Sequence, residues 1–366
     1  MNRSRTTQRR IEESALPWQA TVGAEERSGT ATLPARLRIF QALRNEWLAI
    51  GAACGPFEWI GLGYLAVSSV LIAIFSDNLG HPIRLLATRA CVVALIVLLC
   101  RGADILVGSE SQFSAFTQKF WHFWRHWYPH LFFLFCFEEL AHLVHLISPQ
   151  WQDAKLIAFD HWLTGVHPSM WLEQFATPAL NEFMQFTYIT YFIYLVVLGG
   201  ILYYRKDWRG YWSVMTYSAV AYAMGYLIAI SFPIESPWFS MAGSWHGELR
   251  GGPFTALINL IEHYGRVRGA AFPSEHVAGS FAALWGAWRH RRWLFWVMLP
   301  LVLGMCLSTV YGRYHYVADI VGGMVTGTLG YLVGRWLMRN SEQLPGGWEG
   351  AEFEKRACGQ NSLCEN

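Results

Sequence analysis

Residues 270–288 read AAFPSEHVAGSFAALWGAW. From Val277 onward the stretch is apolar and rich in small residues, suited to a helix buried in a bundle or a bilayer. Its mouth is different: proline, serine, glutamate and histidine stand together at Pro273, Ser274, Glu275 and His276. Ser274 suits an N-cap, and the free N–H groups of a first helical turn form a ready site for an anion, phosphate being the common case. The stretch reads as a membrane helix whose end carries chemistry.

The chain around it agrees with the membrane reading. Of 366 residues 53% are hydrophobic and 15% charged, where a soluble domain carries about 25% charged residues. There are 19 tryptophans, and the mean hydropathy is +0.23. Apolar runs lie near 57–75, 90–107, 130–148, 183–204, 211–232, 271–288, 293–310 and 317–338, each near the roughly 20 residues that cross a bilayer. The expected fold is therefore all-α, a polytopic bundle of about eight transmembrane helices. A polar arm (1–50) precedes two N-terminal helices and a loop (51–128), then a six-helix core (129–339) and a polar tail (340–366). The arm has no apolar core of a secretory signal peptide. The seven cysteines show no C-x-x-C pairing and imply neither a disulfide framework nor a zinc site. No basic block accompanies a nucleic-acid-binding pattern, so nucleic acid is not an expected partner.

Positive charge gives the spans an orientation. The arm, the loops holding Lys119 and Arg125, Arg205 to Arg209, and Arg289 to Arg292, and the tail are basic. The alternate loops hold Lys155, then Arg250, Arg266 and Arg268, then Arg313. Both termini are expected in the cytoplasm, which puts the mouths of the 271–288 and 317–338 helices together on the periplasmic or lumenal face. The segment 153–184 mixes charges with Leu, Ile, Phe and Trp; an interfacial helix and a loop with packed aromatics both fit it.

The second mouth reads STVYGRYHYVADIVGGMVTG, residues 308–327. His315 and Asp319 are four apart and share a face once the helix has begun. An aspartate beside a histidine fixes its tautomer and stabilises the imidazolium. Two histidines and an aspartate at neighbouring helix mouths suit phosphoryl transfer with no metal and no cofactor: one histidine as nucleophile, one as acid, and the aspartate as orienter. Gly322, Gly323 and Gly327 suit close helix packing. Elsewhere Glu139, His142 and His145 stand at helical spacing; a metal site would need a second such motif, so a polar seam facing the bundle is the expected role. Trp121, Trp124 and Trp127 suit an interfacial aromatic belt.

These residues resemble the type-2 phosphatidic acid phosphatase superfamily. Pro273-Ser274-Glu275-His276 is similar to its P-S-G-H motif. Ser308 through His315 to Asp319 is similar to S-R-x5-H-x3-D. The finer wording, with F-P-S-x-H-V, Y-x-R-Y-H-Y-x-x-D and an upstream DAKLIAFDHWLTGVHP from Asp153 to Pro168, resembles the inositol phosphorylceramide synthase-like branch. The resemblance covers about 150–337. It implies His315 as the nucleophile that forms a phosphohistidine, Asp319 as its orienter, His276 as the acid for the leaving alkoxide and Ser274 as a phosphate ligand. The departures are equally definite. Thr309 replaces the motif arginine, and the K-x6-R-P motif has no match, residues 231–239 offering no cation. Arg313, two before His315, could replace the motif guanidinium, and Arg250, Arg266 and Arg268 are the outer-face arginines left to supply the first-motif cation. Glu275 replaces glycine; a carboxylate there repels phosphate unless it turns away or binds a hydroxylated acceptor.

The expected function is a metal-independent lipid-phosphate phosphatase or phosphotransferase with a lipid phosphate or phospholipid as substrate. A head-group transferase of the inositol phosphorylceramide synthase type is the alternative. A non-catalytic lipid-binding or transport protein on the same fold is the alternative from another class, supported by the altered phosphate clamp. A metal-dependent oxidoreductase on Glu139, His142 and His145 is a third.

Overall fold

The computed structural model describes residues 35–108 and 115–341; most of the expected arm, at 1–34, and the tail from 342 lie outside the described residues. The chain divides into two compact units, Met1–Ala49 and Ile50–Asn366. Helix α1 (Ala35–Ala53) occupies the end of the segment expected as a polar arm; Ile39, Phe40, Leu43 and Trp47 recur there at helical spacing.

Within the second unit the regular structure of the described residues is helical. Six stretches are long and apolar enough to cross a membrane. They are α2 (Pro56–Ile74), most of α3 (Pro82–Gly108), the joined pair α7 (Pro178–Ile189) and α8 (Tyr191–Tyr204), α9 (Trp208–Ser231), α13 (Arg292–Tyr311) and α14 (Val317–Ser341). Two of the eight expected spans, at 130–148 and 271–288, are not among these six. The run at 130–148 belongs to α4 (Ala115–Leu140), which starts earlier and gives way to turns after Leu140. The run at 271–288 becomes α12 (Glu275–His290), because Pro273 and the Ser274 cap start the helix late. The amphipathic segment 153–184 forms two short helices, α5 (Asp153–Thr164) and α6 (Pro168–Glu173), before α7 begins at Pro178. Gly165, at φ 73°, ends α5 in the left-handed conformation that favours glycine.

Helix α9 is the hub, packed against α14, α12 and α2. Helices α12 and α14 lie flush along their small residues. A methyl group on Gly323 would lie 2.6 Å from the Ser274 carbonyl oxygen, and one on Gly327 would lie 2.5 Å from that of Ala278. Glycine at these positions admits backbone-to-backbone approach, the packing role expected from the sequence.

Two clusters of charge inside the bundle are paired, as burial demands. Glu58 of α2 meets Arg125 of α4 at 2.7 Å and accepts from the Tyr128 hydroxyl at 2.6 Å. Arg89 of α3 binds Glu139 of α4 at 2.8 Å and Ser68 of α2 at 2.7 Å. Glu139 thus serves the polar seam: Arg89 engages both of its oxygens. His145 turns to the Ser148 carbonyl instead, and no metal-holding cluster occurs among the described residues. Trp121 bonds the Leu99 carbonyl, Trp127 stacks on Phe123 and His130, and Trp124 borders on exposure.

Candidate active site

Three elements carry the site to one place. Helix α13 ends at Tyr311, and the chain folds back so that the N–H groups of Tyr314 and His315 both donate to the Thr309 carbonyl, at 2.9 and 3.1 Å. Arg313 takes φ 66° within this turn. Helix α14 then starts at Val317, and its exposed first N–H groups find a carboxylate from another helix. Asp160 of α5 accepts from Val317 at 2.8 Å and from Ala318 at 2.9 Å. This is a helix cap supplied from a distance of 157 residues, with the negative charge at the positive end of the helix dipole. Asp153, one end of the same motif, accepts from the Tyr316 hydroxyl at 2.9 Å and from the N–H groups of Glu235 and Ser236. The two aspartates read from the sequence therefore clamp the loop and helix that present His315.

On that scaffold His315 and Asp319 come together. The His315 Nδ1 lies 3.2 Å from Asp319 Oδ2, which also accepts from the Tyr316 N–H at 2.8 Å. Asp319 is fully buried and His315 is 4% exposed. The Ser274 N–H donates to the Asp319 carbonyl at 3.0 Å, tying the mouth of α12 to α14. His276 then faces His315, with His276 Nδ1 3.3 Å from His315 Nε2. Burial lowers the His315 imidazole to about 4, so at neutral pH it is uncharged.

The relay extends further than the sequence indicated. His276 Nε2 lies 3.0 Å from the Tyr188 hydroxyl, which donates to Glu262 Oε1 at 3.0 Å. Glu262 belongs to α11 (Pro253–Gly265), and its second oxygen pairs with Arg266 at 2.5 Å. Each histidine is thus braced by an acceptor chain on its outer side. Asp319 sets the Nδ1–H tautomer of His315, and Tyr188 with Glu262 sets the Nε2–H tautomer of His276. The two inner nitrogens then both carry lone pairs, and a hydrogen bond between them takes one added proton. Tyr188 and Glu262 stand 127 and 53 residues before His315 in apolar helices, and no local motif marks them.

The pair opens on a cavity of about 380 Å³ between α4, α7, α8, α9, α11 and the mouth of α12. Its wall on the α4 and α8 side is apolar, including Phe133, Leu134, Phe192 and Val196; Leu134, Phe192 and Val196 are also exposed at the bundle surface. Of the arginines expected to hold phosphate, Arg266 lines this cavity. It lies over Trp238 and Tyr314 while paired with Glu262. Arg268 turns to Glu235, with its Nε at 2.8 Å. Arg313 turns to Glu173 at 3.1 Å and to the Gly247 carbonyl at 2.8 Å, and covers Trp245. Neither Arg268 nor Arg313 is among the lining residues. The Ser274 hydroxyl is wholly buried and caps its own helix, accepting from the Val277 N–H at 3.4 Å. Glu275 lies against Gly225 of α9 and lines the same cavity as both histidines.

No curated protein and no solved structure matches the chain. A family does match, over a segment that starts beside Asp153 and takes in Asp160, His276, His315 and Asp319: residues 154–333 fit the family model of the PAP2 superfamily.

Proposed function

We propose that the protein is an integral membrane phosphatase or phosphotransferase that acts on lipid phosphates through a phosphohistidine on His315. The observation that carries this reading is the hydrogen-bonded line Asp319–His315–His276–Tyr188–Glu262 opening on a cavity with both apolar and charged walls. PAP2 superfamily proteins are generally phosphatases, and six stretches among the described residues are long and apolar enough to cross a membrane.

In the proposed reaction the lone pair on His315 Nε2 attacks phosphorus, and the bond to the leaving oxygen breaks. The pair enters this step with its one added proton on His276 Nδ1; His276 gives that proton to the leaving oxygen and returns to the neutral Nε2–H form, while Tyr188 holds the ring so that Nδ1 faces it. Asp319 offsets the charge that grows on His315 as the N–P bond forms. In the second half, water or an alcohol loses a proton to His276 and takes the phosphoryl group, freeing His315. Both chemical roles are filled by side chains, so the scheme is metal-independent. Arg266 is the guanidinium placed to meet the phosphate. The altered clamp, with Thr309 for arginine, is offset in this scheme by the helix mouth of α12 and by Arg266.

The same first half-reaction serves a hydrolase and a head-group transferase of the inositol phosphorylceramide synthase type. The proposed placement of the site, on the periplasmic or lumenal face with both termini cytoplasmic, follows from the distribution of Lys and Arg in the loops. The test is lipid-product analysis of the purified protein with phosphatidic acid, and with a phosphoinositide plus ceramide. We expect turnover in the wild type and an acid-labile phosphoprotein after quenching, both lost in His315→Ala. Full activity in His315→Ala would sink the scheme and leave a lipid-binding role.

A further inference from the structure

Glu275 presents a problem that the proposed reaction does not use. It is 2% exposed, and neither carboxylate oxygen has a hydrogen-bond partner. A buried carboxyl group without hydrogen bonds or a counter-charge is strongly disfavoured. Its position is nevertheless built. Gly225 makes room for it, since a methyl group there would lie 2.7 Å from the carboxyl carbon of Glu275. Glu275 lines the same cavity as His276 and His315.

Its neighbours on that cavity are aromatic. Tyr191 of α8 and Tyr222 and Tyr226 of α9 line the wall; the last two stack at 5.8 Å with 8° between their planes. Phe133 of α4 sits 4.9 Å from Tyr222. The Tyr191 and Tyr222 hydroxyls lie 3.3 Å apart and engage each other. Arg266, the guanidinium on the cavity, already pairs with Glu262. The cavity therefore holds an unpaired carboxyl group, a set of ring faces, and no cation assigned to them. Ring faces with a carboxylate are the chemistry that recognises an organic ammonium group.

We infer that Glu275 and the rings of Tyr191, Tyr222 and Tyr226 form an ammonium subsite beside the histidine pair. The ligand is a 2-aminoalkyl phosphate: a phosphate ester whose ammonium group stands two carbons away, either free or bearing an alkyl tail. The phosphate lies against His315, the ammonium meets Glu275, and a tail follows the apolar α4–α8 wall. Such a ligand supplies the counter-charge that Glu275 lacks. The inference rests on the proposed phosphate site for its anchor, but binding tests it without turnover.

The experiment is isothermal titration of the full chain in detergent with O-phosphoethanolamine, propyl phosphate and 2-hydroxyethyl phosphate at pH 7. The first two differ by ammonium against methyl. We expect phosphoethanolamine to bind at least about 10-fold tighter than propyl phosphate, the size of one desolvated cation–ring contact with its charge partner. Glu275→Gln should shrink that ratio to within about 2-fold. Equal binding of the two by the wild type overturns the inference, and so does a preference for the hydroxyethyl ester, which would make Glu275 a hydroxyl ligand. If Glu275→Gln does not fold, the three wild-type affinities still decide. Tighter binding of 2-aminohexadecyl phosphate than of phosphoethanolamine assigns a lipid as the source, and the reverse assigns a free head group. Selective binding with no turnover of any ester keeps the subsite and refutes the phosphoryl-transfer reading. His315-dependent turnover with no ammonium preference does the opposite.

Discussion

Tyr188→Phe isolates the part of the relay that no sequence motif announces. The change removes one oxygen, and the ring stays where it packs against His276 and Tyr314, at 5.2 and 4.8 Å between centroids. What is lost is the 3.0 Å contact that fixes the His276 tautomer, together with its link to Glu262. In the unprotonated pair His276 is neutral and the loss is modest. In the reactive pair, with the added proton on His276, the contact is a hydrogen bond to a charged group, worth about 1.5–3 kcal/mol. At 1.36 kcal/mol per decade, kcat should fall roughly 10- to 150-fold, with KM changed far less. The assay compares two phosphate esters of the wild type and the variant. An alkyl ester needs its leaving oxygen protonated, so it should show the full loss. A nitrophenyl ester leaves as a stable anion and should show little. Equal losses on both esters would mean that Tyr188 acts by packing or by placing Glu262, and an unchanged kcat on the alkyl ester would refute the tautomer argument.

Three further outcomes follow from the same geometry. Burial lowers His315 to about 4, below the ordinary value of about 6.5. The lone pair is therefore retained as the pH falls through 6 and 5 and is lost near 4. The acid limb of kcat/KM should lie near pH 4, and a limb near 6.5 that disappears in no other variant would contradict the buried, uncharged nucleophile. Asp160→Asn removes the charge that holds two N–H groups of α14, at about 1.5–3 kcal/mol for such a bond. We expect kcat to drop with the protein still folded by thermal unfolding, and undiminished kcat would show that the cap does not position His315. Gly323→Ala forces a methyl group to 2.6 Å from the Ser274 carbonyl oxygen and 2.7 Å from Val277 Cβ. Overpacking of this kind costs about 1–3 kcal/mol, so the midpoint of thermal unfolding in detergent should fall, and an unshifted midpoint would refute the flush packing of α12 on α14.

The helical membrane class was legible because it is a bulk property: sparse charge and long apolar runs register in any window along the chain. The pair His315 and Asp319 was legible from its spacing of four, although His315 stands two residues before α14 and it is the turn folded back onto Thr309 that lays it beside Asp319. The DAKLIAFD stretch could be noticed, but its use could not be derived. Asp160 caps a helix that begins 157 residues later, and nothing local states which orphan N–H groups it will meet. The same separation hid Tyr188 and Glu262, which look like any tyrosine and glutamate in amphipathic helices until α7 and α11 pack on each other and bring the two side chains to His276. Candidate cations were misdirected for a related reason. Residues on the same loop side were equivalent in the sequence, but Arg313 lies in a left-handed turn and points to Glu173, while Arg266, at the end of α11, points into the cavity. Charge counting assigns an expected membrane side to a loop and nothing more; direction within the membrane plane depends on helix packing. Glu275 illustrates the difference best. In the sequence its charge beside Ser274 and His276 looked like a threat to phosphate binding. In the bundle it packs onto Gly225 of α9 in the wall of the cavity that the histidines share. The cost is that of an unpaired carboxyl group, which a ligand carrying the opposite charge would remove.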